Sequence, residues 1–207
     1  MTASLADRTI TALRSGHNEL AALVRGSSDG RLTGRSGASE WTVAQVLSHL
    51  GSGAEITLAG LTVAVDGSGA PEPDANQKVW DRWNAMTPRE QADGFLSHDT
   101  ELVAAFESLS PGLREEMTLE LGFLPFPLSV ASFAGMRLNE AALHSWDVRV
   151  ALDPAAGVSE PAAAVLVEHY AGGLSFLTGF SGRPTRCRGR RWWNSGRRAT
   201  GWWSTTR

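Results

Sequence analysis

The chain of 207 residues has a single cysteine, Cys187, so it can build neither an internal disulfide framework nor a Cys-x-x-Cys metal site. Any metal must be held by nitrogen and oxygen. No apolar run approaches the ~20 residues that span a bilayer. The first residues, Met1-Thr2-Ala3-Ser4-Leu5-Ala6-Asp7-Arg8, lack a basic segment and pass straight into helical spacing, so no secretory signal is evident and a cytoplasmic protein is expected. Alternation of apolar and polar residues never persists, which leaves strand signals almost missing, and no internal repeat is visible. Acidic residues are missing from positions 186–207, which hold seven arginines. The formal charge of −3 therefore hides an acidic body, because positions 1–185 carry 12 basic and 22 acidic residues, a net of −10. Phosphate binding needs a basic face, so no nucleic acid is expected as partner, and no membrane.

What is present is helical. With 42% hydrophobic residues the chain can bury one core of domain size. Leu5, Ile10, Leu13, Leu20 and Leu23 give an apolar stripe over residues 5–24, and Gly26-Ser27-Ser28-Asp29-Gly30 stops it. A second helix starts near Trp41 or Thr42, where Thr42 and Gln45 make a capping box, and continues towards Val65, weakened by Gly51, Gly53 and Gly60. A short helix over 76–85 follows the loop at 66–73. Thr87-Pro88-Arg89-Glu90 then combines an N-cap, a proline at the first helical position and the glutamate of a capping box, opening a third long helix to about Leu109. Two prolines make 119–127 a connection. The fourth long helix spans about 128–152 and ends at Asp153-Pro154, and a fifth covers about 161–177. An all-α bundle is the economical architecture.

The residues that carry chemistry lie on the second and fourth of these helices. In Arg137-Leu138-Asn139-Glu140-Ala141-Ala142-Leu143-His144-Ser145-Trp146-Asp147, Glu140 and His144 are one turn apart, so their side chains lie over one another on one face and can converge on one cation. His49, within Trp41-Thr42-Val43-Ala44-Gln45-Val46-Leu47-Ser48-His49-Leu50, is the candidate third ligand. Two His and one Glu leave a fourth zinc position open, the catalytic pattern. Asp147 can accept the free imidazole N–H of a ligating His144 and fix its tautomer. Arg137 can receive an anionic group of a substrate or cofactor, or form a surface salt bridge. His49 as a hydrogen-bonded core histidine and Glu140 in an intrahelical pair remain the alternatives. Trp41 and Trp146 read as core or pocket wall, and His17, His98 and His169 are assigned no role.

Trp-Thr-Val followed by an apolar turn and His49-Leu50, then Glu-x-x-x-His-x-x-Asp about ninety residues later, resembles the mycothiol-dependent maleylpyruvate isomerase N-terminal (metal-binding) domain, part of the DinB-like superfamily of four-helix metal proteins. The likeness covers roughly residues 5–180. It implies a DinB-like four-helix bundle with an extra C-terminal helix, ligands at His49, Glu140 and His144, a divalent metal, zinc by its donor set, and mycothiol, the small thiol of actinobacteria, as cosubstrate. It further implies addition of that thiol to an electrophilic small molecule, as an isomerase or a thiol S-transferase. A non-catalytic metal-binding or regulatory module and a purely structural bundle are the other classes open to the same residues. Members of the family often continue into a second domain, whereas the recognisable sequence here stops near Arg183. Residues 1–183 are thus expected to form the metal-binding bundle. Residues 184–207, rich in Arg, Gly and Trp and free of any helical or strand period, are expected to be an irregular tail, disordered or the product of a shifted reading frame.

Overall fold

The computed structural model describes residues 3–181, apart from positions 39, 70, 71 and 123. The expected tail at 184–207 lies outside the described residues. Four long helices form the bundle: α1 (Leu5–Arg25), α3 (Val43–Asp66), α5 (Pro88–Ser108) and α7 (Val130–Val150). α3 packs most extensively on α5, and α1 on α7, with α1 against α5 and α3 against α7 closing the ring. The architecture is the all-α DinB-like bundle that the resemblance implies. No helix among the described residues is long and apolar enough to cross a membrane.

Side-chain caps set the starts of these helices. Ser4, Thr42, Thr87 and Ser129 each accept a bond from the backbone N–H three residues on, satisfying one of the donors that a helix start leaves unpaired. Thr42 with Gln45 and Thr87 with Glu90 complete the two expected capping boxes. Inside the ring the apolar residues fall into two clusters. One holds Leu102, Phe106, Phe133 and Leu138, the other Leu20, Leu47, Leu50, Phe95 and Val148.

Smaller elements complete the chain: α2 (Asp29–Leu32), α4 (Ala75–Asn84), α6 (Pro111–Glu116), α8 (Glu160–Ala171) and α9 (Ser175–Ser181). Two short strands, β1 (Thr118–Leu119) and β2 (Leu128–Ser129), pair antiparallel with Leu119 opposite Leu128. The connection expected at 119–127 is therefore the loop of a hairpin. The fifth helix is two helices, α8 and α9, parted at Gly172 and Gly173. There a Cβ on Gly173 would lie 2.3 Å from Ser132 Oγ, so a side chain at this point would have to displace the Ser132 hydroxyl. α3 runs unbroken through its glycines. Gly51 has a packing reason, because a Cβ there would stand 2.1 Å from Cη2 of the buried Trp83, by which α4 docks.

Candidate metal centre

α3 and α7 face each other across the second apolar cluster, and each turns polar residues into the seam. Glu140 Oε2 lies 3.3 Å from His49 Nε2 and 3.7 Å from His144 Nε2. One ligand atom from each of the three residues lies within 4.8 Å of the other two. Bonds of about 2.0–2.2 Å to a tetrahedral ion place ligand atoms about 3.3–3.5 Å apart. The two distances to Glu140 fit one ion nearly as they stand, whereas the widest pair, within 4.8 Å, closes by about 1 Å or more on binding. The side chains are 27% (His49), 25% (Glu140) and 17% (His144) exposed, so the site is sunk in the bundle yet reached from solvent.

Neighbours fix how these donors point. Asp147 Oδ2 accepts from His144 Nδ1 at 2.8 Å, which leaves Nε2 as the lone-pair nitrogen turned towards Glu140. Asp147 is itself anchored, since its carbonyl accepts from Gly37 N at 2.7 Å. Gly37 can carry no side chain there: a Cβ would come within 2.6 Å of Val150 Cγ1 and 3.1 Å of the Asp147 Cα. Gly37 is thereby pinned at the end of α7, and nearby stands Trp41, whose ring centroid lies 5.4 Å from that of His49 and 6.0 Å from that of His144. Trp41 is a wall of the site. Trp146 points away, donating from Nε1 to the Ala156 carbonyl.

The electrostatics suit a ligand set. Burial pushes the Glu140 carboxyl up, but the bond from His49 and the positive charges of His49, His144 and Arg137 together outweigh it and hold it below the usual value. Burial and then the charge of His49 push His144 down, against the opposing pull of Asp147 and Glu140. A neutral imidazole and an ionised carboxylate are the forms that bind metal.

Arg137 does not form the surface salt bridge that is one of its two expected roles. It is 4% exposed, and Nη2 donates to Asp99 Oδ1 at 2.7 Å and to the Leu50 carbonyl at 2.9 Å. Its salt bridge is internal, and its link to the site is the charge it exerts on Glu140. Asp99 Oδ2 in turn meets His17 Nδ1 at 2.7 Å, and His17 Nε2 lies 3.1 Å from Thr100 Oγ1. The sequence did carry a signal for this group. His17 stands in the stripe Leu13, His17, Leu20, Val24, and Asp99 in Phe95, Asp99, Leu102, Phe106, so each is a polar residue at a core position.

Comparison with known proteins gives a family and a fold. The family model described as the mycothiol maleylpyruvate isomerase N-terminal domain matches residues 13–149, which include all three candidate ligands and Asp147. A crystal structure of a mycothiol-dependent maleylpyruvate isomerase is similar with a TM-score of 0.61 at 19% identity, covering 84% of this chain and 72% of that one. A histidine-to-alanine mutant of such an isomerase gives 0.60 at 18% over the same shares. No curated protein matches the chain.

Proposed function

Because the chain belongs to the mycothiol maleylpyruvate isomerase N-terminal domain family, we propose that it is a zinc-binding bundle that readies a low-molecular-weight thiol, mycothiol, for addition to an electrophilic carbon. The observation that carries this is the convergence of His49 Nε2, Glu140 Oε2 and His144 Nε2 on one point, with the His144 tautomer set by Asp147. Zinc in such a site supplies Lewis acidity, lowering the pKa of a thiol at the open position so that it is nucleophilic at neutral pH.

The chain's own residues do the rest. His49, Glu140 and His144 would hold a divalent ion with two neutral donors and one negative one, which would leave the bound ion one net positive charge. Asp147 stabilises His144 in the ligating orientation, and the Trp41 ring lies beside both imidazoles. Arg137 is held in place by Nη2, which donates to Asp99 and to the Leu50 carbonyl. Addition of the thiol to a cis double bond, rotation about the resulting single bond and elimination gives an isomerase. Retention of the adduct gives an S-transferase.

The test is metal content and thiol reactivity of the full chain purified without chelator. One zinc per chain is expected in the wild type, none in His144→Ala, and in Asp147→Asn a zinc held about 10–100-fold more weakly. The zinc-loaded protein should also accelerate alkylation of mycothiol at neutral pH. Equal metal content in wild type and His144→Ala overturns the ligand assignment. Metal binding without thiol activation makes the protein a non-catalytic metal-binding module instead.

A further inference from the structure

Glu140 carries two oxygens, and Oε2 is the one that lies 3.3 Å from His49 Nε2 and 3.7 Å from His144 Nε2. The other is tied. Asn139 Nδ2 donates to Glu140 Oε1 at 3.1 Å, and the Tyr170 hydroxyl donates to Asn139 Oδ1. We propose that Asn139 and Tyr170 are positioning residues that hold Glu140 to a single ligand oxygen, keeping the place beside it open for substrate. This rests on the metal-site reading above and adds to it a device that the motif His49, Glu140, His144 does not contain.

The order of donors and acceptors in this chain is forced. An ionised carboxylate only accepts, so Asn139 must turn its NH2 towards Glu140; its carbonyl oxygen then points away and needs a donor. Tyr170 supplies one from a different helix, α8, and its ring packs on the first apolar cluster, which fixes the hydroxyl in place. Removal of that hydroxyl leaves Asn139 Oδ1 without this donor and the amide free to rotate away, so the bond from Nδ2 to Glu140 Oε1 is held less firmly. Removal of Asn139 frees Oε1 altogether. A carboxylate with both oxygens free can chelate, and a chelating Glu140 raises the number of protein donors from three to four. The position left for a thiol is then lost or crowded.

The full-length protein loaded with cobalt(II) tests this, because the visible spectrum of cobalt reports coordination number, which a merely structural change leaves alone. Affinity is measured by chelator competition in wild type, Asn139→Ala, Tyr170→Phe and the double variant. Tyr170→Phe keeps the packed ring and removes only the hydroxyl, so it tests the relay even where Asn139→Ala perturbs folding. Asn139→Ala should change cobalt affinity by about tenfold or more and shift the spectrum to the weaker bands of a five-coordinate ion. Tyr170→Phe should move both in the same direction by less. The double variant should match Asn139→Ala to within about twofold, since Tyr170 acts through Asn139. Wild type that binds no cobalt overturns the metal reading and the relay together. Wild type that binds cobalt while Asn139→Ala leaves affinity and spectrum unchanged overturns the relay alone, and additive losses overturn the role of Tyr170.

Discussion

Asp99 joins His17 on α1 to Arg137 on α7 from its place on α5, at 4% exposure. Burial alone would push its carboxyl up, yet Arg137 and His17 hold it below the usual range, so it is ionised in the folded protein. Asp99→Ala leaves a buried guanidinium with only the Leu50 carbonyl, and a loss of about 3–5 kcal/mol is expected in urea unfolding. A loss under about 1 kcal/mol would mean that water or another group replaces the carboxylate. Such partnerships explain which residues were legible. Glu140 and His144 could be read from spacing alone, because a helix fixes their relation locally. Arg137 could not, since its partner is 38 positions away and nothing in the local pattern selects Asp99 over bulk water. Tyr170 escaped notice for the same reason, since its partner Asn139 is 31 positions away.

The long helices were legible from different signals: α1 from its apolar stripe, and α3 and α5 from capping boxes whose bonds are present in the fold. α2, α6 and the β1–β2 hairpin are too short to show a period, and they form only where the bundle gives them a surface. The glycines of α3 were misleading in a specific way. Propensity treats Gly51 as a weakness, and in an exposed helix Gly→Ala gains roughly 0.5–1 kcal/mol. Here the new methyl would enter the Trp83 ring, which Gly94 also accommodates and whose Nε1 donates to Glu55 at 2.9 Å. Moving that ring strips α4 from the α3–α5 face. Gly51→Ala is therefore expected to destabilise by about 1–3 kcal/mol, the usual cost of overpacking. A denaturation midpoint equal to or above wild type would show that α4 is not locked by this slot.

The bundle as a whole is closed by α8, which packs on α1 and α7 and brings Tyr170 to the site side of the molecule. Its inner anchor is His169, fully buried, with Nε2 2.8 Å from Thr9 Oγ1 and its ring against Gly135, where a Cβ would lie 2.7 Å away. Thr9 Oγ1 gives its proton to the Leu5 carbonyl and so accepts from His169 Nε2–H, while Nδ1 has no partner among the described residues. The ring is neutral. Burial lowers the pKa of His169; the charge of Glu168 opposes this and that of Arg8 adds to it. The unfolded chain takes up this proton near pH 6.5 and the folded chain only at lower pH. Between those values the unfolded state binds more protons, so this contribution is fully present above about pH 6.5 and is lost as the pH falls through the folded value. His144 shifts the same way, so the two must be separated. Urea midpoints of metal-free wild type and His169→Gln, measured at pH 7.5 and 5.5, do this, since glutamine keeps a donor for Thr9 and does not titrate. The variant should be less stable at the higher pH and lose less on acidification. Equal losses in both would assign the acid sensitivity to His144 and the carboxylates and leave His169 a purely steric anchor for α8.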